Sequence, residues 1–315
     1  MKIVLLEGLG VSDQVIEQHK KKLDAMGHTF TAYPKNADPQ VQAERSRDAD
    51  VIMLANMPLD PSVLDEAKSL KFIDVAFTGV DHIPMAEARK RGIAVSNASG
   101  YANQAVAELC ISFMIQLLRN VSKTEERCRN GGTKDGLVGW ELKGKTVGII
   151  GLGKIGSRTA ELFHAFGCEV LAQSRTRHEG TPEYIEQVSQ EELLRRSDIV
   201  VLHCPLNDST RGLINAEKLA MMKPSALLVN VARGPVVNEA DLAAALKNKV
   251  IAGACLDVFD KEPPLDPECP ILQAPNTVVT PHVAFATQES MSLRAEIVFD
   301  NLAGWMEGNQ RNIVL

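Results

Sequence analysis

Aromatic side chains are scarce in this chain, at 4% of 315 residues with only two tryptophans, and several other features are missing whose absence excludes whole classes of protein. A membrane-spanning helix needs about eighteen consecutive apolar residues. No run approaches that length, and the apolar start from Ile3 to Leu6 is broken by Glu7 before it can serve as a signal segment. No membrane partner is expected. Nucleic-acid surfaces need a basic face to neutralise phosphates, but the net charge is −6 and the longest basic cluster is His19 to Lys22. No nucleic-acid partner is expected either. The six cysteines, Cys110, Cys128, Cys168, Cys204, Cys255 and Cys269, form no C-x-x-C pair and have no histidine at metal-ligand spacing. The expectation is no metal site and a reducing, cytoplasmic location. What remains is 45% hydrophobic and 23% charged, a globular composition long enough for two domains.

The most informative stretch runs from Lys145 to Gly156, K-T-V-G-I-I-G-L-G-K-I-G. An apolar β-type run leads into Gly151, Gly153 and Gly156 in G-x-G-x-x-G spacing, and Ser157 to Phe166 continues with helical periodicity. In a strand–turn–helix, the first glycine permits the tight turn. The second lets backbone N–H groups approach a pyrophosphate, and the third lets helix and strand pack closely. Placed in that context, the spacing implies a dinucleotide site.

Before this stretch, strands are expected at Lys2–Leu6, Thr29–Tyr33, Asp50–Ala55, Phe72–Phe77 and Ile93–Ser96, with helices between them, a βα alternation of its own. Glycines also follow the first strand, at Gly8 and Gly10, but no third one completes a phosphate turn. Ligands of parallel sheets sit beyond the strand carboxyl ends. Asn56, Thr78 and Gly79, in loops after the third and fourth strands, are therefore candidate substrate contacts; Asp81 and His82 read as a turn and a helix cap. The helix expected at Ala105–Leu118 is apolar around most of its circumference, so it needs cover from another domain or another chain. An irregular arm follows from Arg119 to Gly139 and ends at Trp140. Helix and arm together imply a homodimer.

From Thr146 onward six strands are expected, at Thr146–Ile150, Glu169–Gln173, Ile199–His203, Ala226–Val231, Ile251–Leu256 and Thr277–Thr280, with a helix at Glu239–Lys247 and a last one from Gln288 to Met306. Residues just after parallel strands converge in space. His203, Arg233, Asp257, Glu262 and His282 are selected in this way, a cation, carboxylates and histidines beside a dinucleotide, which is a set suited to hydride transfer.

These residues lie in G-L-G-K-I-G, L-H-C-P-L-N-D-S-T-R-G-L-I-N, N-V-A-R-G-P-V-V-N-E-A-D-L, L-D-V-F-D-K-E-P and T-P-H-V-A. In that order the motifs resemble the D-isomer-specific 2-hydroxyacid dehydrogenases, from about Phe72 to Thr287. The resemblance implies an α/β protein of two doubly wound parallel-sheet domains. A Rossmann NAD(P)-binding domain at 99–285 would be inserted in a flavodoxin-like substrate domain made of 1–98 and 286–315. It implies an oxidoreductase that reduces a small 2-oxo acid to the D-2-hydroxy acid. Arg233 would anchor the carboxylate through its guanidinium fork. His282 would be the proton donor, and Glu262 would fix its tautomer and stabilise the imidazolium. Gly151, Gly153, Lys154, Ile155, Gly156, His203, Cys204, Pro205, Thr210, Val231, Ala232, Asp257 and Ala284 would line the cofactor, with Phe285 at the substrate.

Three departures sharpen the expectation. After the second strand, where an acid ordinarily holds the adenosine ribose, the chain has Ser174, Arg175, Thr176 and Arg177. Hydroxyls and guanidinium groups suit a 2′-phosphate, so NADP is expected in preference to NAD. The Ala55–Leu59 loop carries no cation, which favours an unphosphorylated substrate such as glyoxylate, hydroxypyruvate or pyruvate over a phosphoglycerate. Thr280 and Pro281 precede His282 where formate dehydrogenases of similar sequence have a glutamine. A dinucleotide-sensing corepressor is the alternative outside enzymology, because such proteins can retain the same residues.

Overall fold

The computed structural model describes residues 1–175, 180–262 and 264–315, which divide into two compact units, Met1–Ala102 with Ala286–Leu315, and Asn103–Phe285. The first boundary falls four residues beyond the expected 98.

In the first unit β1 (Lys2–Leu5), α1 (Asp13–Ala25), β2 (Thr29–Ala32), α2 (Pro39–Ser46), β3 (Val51–Leu54), α3 (Pro61–Glu66), β4 (Phe72–Val75), α4 (Met85–Arg91) and β5 (Ala94–Asn97) alternate along the chain. The second holds α5 (Asn103–Leu118), α6 (Val121–Arg129), β6 (Thr146–Ile150), α7 (Lys154–Ala165), β7 (Glu169–Gln173), β8 (Ile185–Gln187), α8 (Gln190–Arg196), β9 (Ile199–Leu202), α9 (Ala216–Met221), β10 (Leu227–Asn230), α10 (Glu239–Lys247), β11 (Gly253–Leu256) and β12 (Thr277–Val279). Then α11 (Gln288–Met306) returns to the first unit.

The first sheet is parallel, in the order β2-β1-β3-β4-β5, the flavodoxin-like winding. β3 and β4 are buried at every position because helices cover both faces. α11 starts at a reciprocal cap between Thr287 and Ser290 and lays Trp305 flat on Phe72, ring centroids 4.8 Å apart. Its Asn301 donates to the Asp74 carboxylate and to the Asn97 carbonyl, each at 3.0 Å. Burial pushes the Asp74 carboxyl well above its ordinary range, and only the Asn301 hydrogen bond opposes it.

The second sheet is also parallel, in the order β12-β11-β10-β9-β6-β7-β8. Two features depart from the sequence reading. β8 is a seventh strand, a three-residue edge pairing with β7. The arm read as irregular from Arg119 contains α6, a polar nine-residue helix with no buried side chain. α5 begins two residues earlier than expected and packs on α7, β11 and β12 of its own unit. Much of its apolar surface is therefore covered without a partner. Ile115, Val121, Val138 and Trp140 stay exposed, the last at 71%. Among the described residues no single helix is long and apolar enough to cross a membrane.

Candidate active site

The strand order settles which loops meet. Reading across the second sheet, the segments after β12, β11, β10, β9, β6 and β7 carry His282, Asp257, Arg233, His203, Gly151 and Ser174 in turn. Six adjacent carboxyl ends carry the residues selected from sequence, with the chemical groups at one side and the ribose-side groups at the other.

The glycine turn is built for a ligand at one position and for packing at two. Gly151 has φ +102°, and a Cβ there would lie 2.7 Å from the backbone of His203 and Cys204; one at Gly156 would lie 2.0 Å from the Gly151 carbonyl oxygen. A Cβ on Gly153 meets nothing within 4 Å. The chain itself has no use for that gap. Gly153 is also the uncapped N-cap of α7, so the first N–H groups of the helix, at Lys154, Ile155 and Gly156, lack side-chain acceptors. An open cradle at a helix N-terminus fits a pyrophosphate.

At the far side, β11 delivers Asp257, which is fully buried. Its Oδ1 accepts from Thr280 Oγ1 at 2.5 Å and from the Val283 amide at 2.8 Å, while Oδ2 accepts from the Ala284 amide at 2.8 Å. Burial pushes this carboxyl up, against the pull of those hydrogen bonds. Its visible work is to staple the 280–284 loop. The Asp257 carbonyl also accepts the His282 amide at 2.7 Å, which helps hold His282 in the left-handed region at φ +56°, a conformation an L-residue adopts only when its surroundings enforce it.

So held, His282 leaves 12% of its side chain exposed, and its Nδ1 sits 2.6 Å from Glu262 Oε2. A carboxylate there requires the proton on Nδ1 in the neutral ring. Phe285 stands edge-on to the imidazole, centroids 5.5 Å apart. Arg233 is placed by Asn230, whose Oδ1 accepts the Ala232 amide and whose Nδ2 donates to the Arg233 carbonyl. Next to it Gly234 packs so closely on Phe259 that a Cβ would fall 1.9 Å from its carbonyl carbon. That contact brings the Arg233 segment against the segment leading to Glu262.

A search of known proteins gives these features a context. A family model described as D-isomer specific 2-hydroxyacid dehydrogenase, NAD binding domain, matches residues 111–284. The chain belongs to this family. A glyoxylate reductase of Thermofilum pendens is 37% identical over 297 residues, covering 92% of this chain and 87% of that one. A hydroxypyruvate reductase of Blautia hydrogenotrophica is 31% identical over 325 residues, covering 100% and 99%. Among solved structures, an acyclic imino acid reductase in complex with NADPH and D-Arg superposes with a TM-score of 0.92 at 26% identity, over the full length of both chains. This dehydrogenase is accordingly an oxidoreductase with a Rossmann domain, using a nicotinamide dinucleotide to reduce 2-oxo acids.

The remaining expected residues are dispersed along the same edge. Cys204, Val231, Ala232 and Ala284 are buried directly after their strands. Thr210 donates to the Pro205 carbonyl at 2.6 Å and closes that loop. Burial pushes the His203 pKa down to about 3, so the ring is neutral, and its Nε2 is shut off from solvent with no hydrogen-bond partner among the described residues. Ser174 is half-buried and Arg175 exposed, whereas Thr176 and Arg177 lie outside the described residues. In the first unit Asn56, Thr78 and Gly79 are half-buried loop residues after β3 and β4. His82 does not cap α4, whose N-cap is Pro84; its Nε2 donates to the Ala55 carbonyl at 2.8 Å instead. Sequence reasoning gave no role to Gly234, Thr280 and Asn230, although all three stand inside the quoted motifs.

Proposed function

We propose that this dehydrogenase reduces a small unphosphorylated 2-oxo acid of the glyoxylate, hydroxypyruvate or pyruvate type to the D-2-hydroxy acid, with NADPH preferred over NADH. The observation that carries this reading is the Glu262–His282 pair on a backbone locked by Asp257. A dinucleotide whose pyrophosphate is held at the glycine turn would supply the hydride from its reduced nicotinamide. Arg233 binds the substrate carboxylate and polarises the neighbouring carbonyl, since its planar fork matches a carboxylate in two parallel hydrogen bonds. His282 Nε2 gives a proton to the developing alkoxide, and Glu262 holds Nδ1. Phe285 sets an apolar wall beside the imidazole, and Asn56, Thr78 and Gly79 contact substrate. Gly151, Gly153, Lys154, Ile155, Gly156, His203, Cys204, Pro205, Thr210, Val231, Ala232, Asp257 and Ala284 line the dinucleotide, with Asp257 acting through the loop it staples.

Support for the substrate class comes from the Ala55–Leu59 loop, which has no cation; the nearby Lys35 is neutralised by Glu7 at 2.7 Å. The relatives named glyoxylate and hydroxypyruvate reductases point the same way. Ser174 and Arg175 after β7 supply a hydroxyl and a cation where an acid would repel the 2′-phosphate. The chain pairs with a second copy through the exposed Val138 and Trp140 and the end of α5, and six free thiols suit the cytoplasm. The test is turnover of glyoxylate, hydroxypyruvate, pyruvate and phosphohydroxypyruvate with each cofactor. Reduction of the first three with NADPH ahead of NADH is expected, and preference for the phosphorylated acid, or no turnover at all, overturns the reading.

A further inference from the structure

Side chains from elsewhere in the first unit hold several backbone polar groups of the loop between β3 and α3. Glu7 Oε2 accepts from the amide of Ala55 at 3.1 Å and from that of Met57 at 2.8 Å. His82 Nε2 donates to the Ala55 carbonyl at 2.8 Å, and its own carbonyl accepts the Leu59 amide at 3.1 Å. Gln42 Nε2 donates to the Pro58 carbonyl at 3.1 Å. Ala55, Met57 and Leu59 are buried, so water does not reach this backbone and the chain itself supplies the partners. Asn56, in the middle, is half-buried and makes no hydrogen bond among the described residues.

Glu7 is the unusual member. Its carboxylate is 7% exposed and faces two amides with one oxygen and Lys35 Nζ with the other, at 2.7 Å. Burying a carboxylate costs several kcal/mol unless its hydrogen bonds and a counter-charge offset it. A core serving stability alone is better filled by an apolar side chain. Here one oxygen gathers the N–H groups of residues i and i+2 and fixes the turn between them.

We propose that Glu7 is a positioning residue that presents the Asn56 amide to the substrate, so that ordering of this loop is complete before the 2-oxo acid binds and its cost does not weaken binding. This rests on the reading of Asn56 as a substrate contact. Glu7 sets KM, and therefore selectivity among 2-oxo acids, and leaves the hydride and proton steps alone.

The geometry makes an ordering that charge alone would reverse. Glu7→Gln keeps a carbonyl oxygen at the same reach, able to accept both amides, whereas Glu7→Asp keeps the charge but withdraws it by one methylene. Steady-state kinetics on glyoxylate at saturating NADPH should give Glu7→Asp a KM raised about tenfold, with kcat within about twofold, the size expected for losing one or two net hydrogen bonds. Glu7→Gln should restore KM to within about threefold of the wild type. Asn56→Ala should raise KM to a similar extent as Glu7→Asp, and the double variant should be no worse than Asn56→Ala, since Glu7 acts through Asn56. A Glu7→Asp enzyme with normal KM, a Glu7→Gln enzyme as impaired as Glu7→Asp, or multiplicative effects in the double variant overturns the proposal. An Asn56→Ala enzyme with normal KM on every 2-oxo acid overturns instead the assignment of Asn56 to substrate. Should Glu7→Asp not fold, amide exchange in the wild-type enzyme decides: protection of Ala55 and Met57 equal to that of Leu54 without substrate supports the clamp, and fast exchange refutes it.

Discussion

Each unit opens its sheet with a strand followed by a glycine-bearing turn into a helix, and each turn stands where the strand order reverses, yet the two turns differ in what surrounds their second glycine. After β6, the position where a Cβ would project at Gly153 is empty and the helix N-terminus is uncapped. After β1, Gly10 has φ +74° and a Cβ there would lie 2.8 Å from Met291 Sδ and 3.2 Å from the Arg294 guanidinium, while Glu7 places a buried carboxylate at the mouth of the turn. The first arrangement leaves an open cradle for a guest; at the second the Gly10 side is filled by α11 and the carboxylate is paired with Lys35. A glycine turn at a sheet's switch point is thus an opportunity, and the side chains around it decide whether it becomes a site.

The sharpest break in that comparison is chemical. Replacing His282 by alanine should lower kcat by about two to four powers of ten while dinucleotide affinity, measured by fluorescence titration, stays close to the wild type, because the proposed proton donor follows β12 and the cradle follows β6. Changing the cradle itself should do the reverse. Gly153→Ala adds a methyl where only a ligand can object, so dinucleotide affinity should fall about ten- to a hundredfold with an unchanged melting temperature. Gly10→Ala should leave affinity alone and cost about 1–2 kcal/mol of stability, from its left-handed backbone and the Met291 contact.

At the ribose end, the wild type should favour NADPH by about ten- to a hundredfold, the range of one charge-assisted contact. Ser174→Asp combined with Arg175→Gln should reverse the preference, and equal use of both cofactors by the wild type would remove Arg175 from the choice of cofactor. Replacing Trp140 by alanine should shift light-scattering mass toward the monomer at micromolar concentration. A further effect concerns His203. Its folded-state pKa of about 3 lies below the unfolded value of 6.5, so the unfolded chain takes up a proton that the native state refuses, and stability falls as pH drops below 6.5. Between pH 7 and pH 5 that difference amounts to about 2 kcal/mol. His203→Asn should remove it in urea melts at the two pH values.

What could be read from sequence had a local cause. The ends of α10 and α11 were legible to the residue because Asn238 and Thr287 are strong caps. The strands of the second sheet were legible because burial on both faces makes continuous apolar runs, though His203 and Val231 fall just outside them, as residues at ligand-facing ends do. β8 escaped because three residues, Ile185 to Gln187, carry no periodicity, and α6 because a polar helix has no apolar stripe to announce it. The motifs revealed Arg233, Glu262 and His282 as candidates, but not that Asp257 grips the loop under His282, which depends on a register between β11 and β12 that no single stretch encodes. Glu7 was the least legible, since its partners lie 48 and 50 residues away.

The return of α11 to the first unit bears on how the protein comes to be folded. β5, completed by Asn97, takes backbone hydrogen bonds from Val314 and to Leu315 through Val95, and Ser96 bridges Ile313. These are contacts across more than 200 residues, and the whole second unit is synthesised in between. Because closing so long a loop costs entropy before any contact is gained, the second unit, continuous in sequence, can reach its native state on the ribosome, while the first must wait with β5 and the β4 face unfinished. Refolding should accordingly run in two phases, the earlier one acquiring the dinucleotide cradle and the later one the loop that carries Asn56.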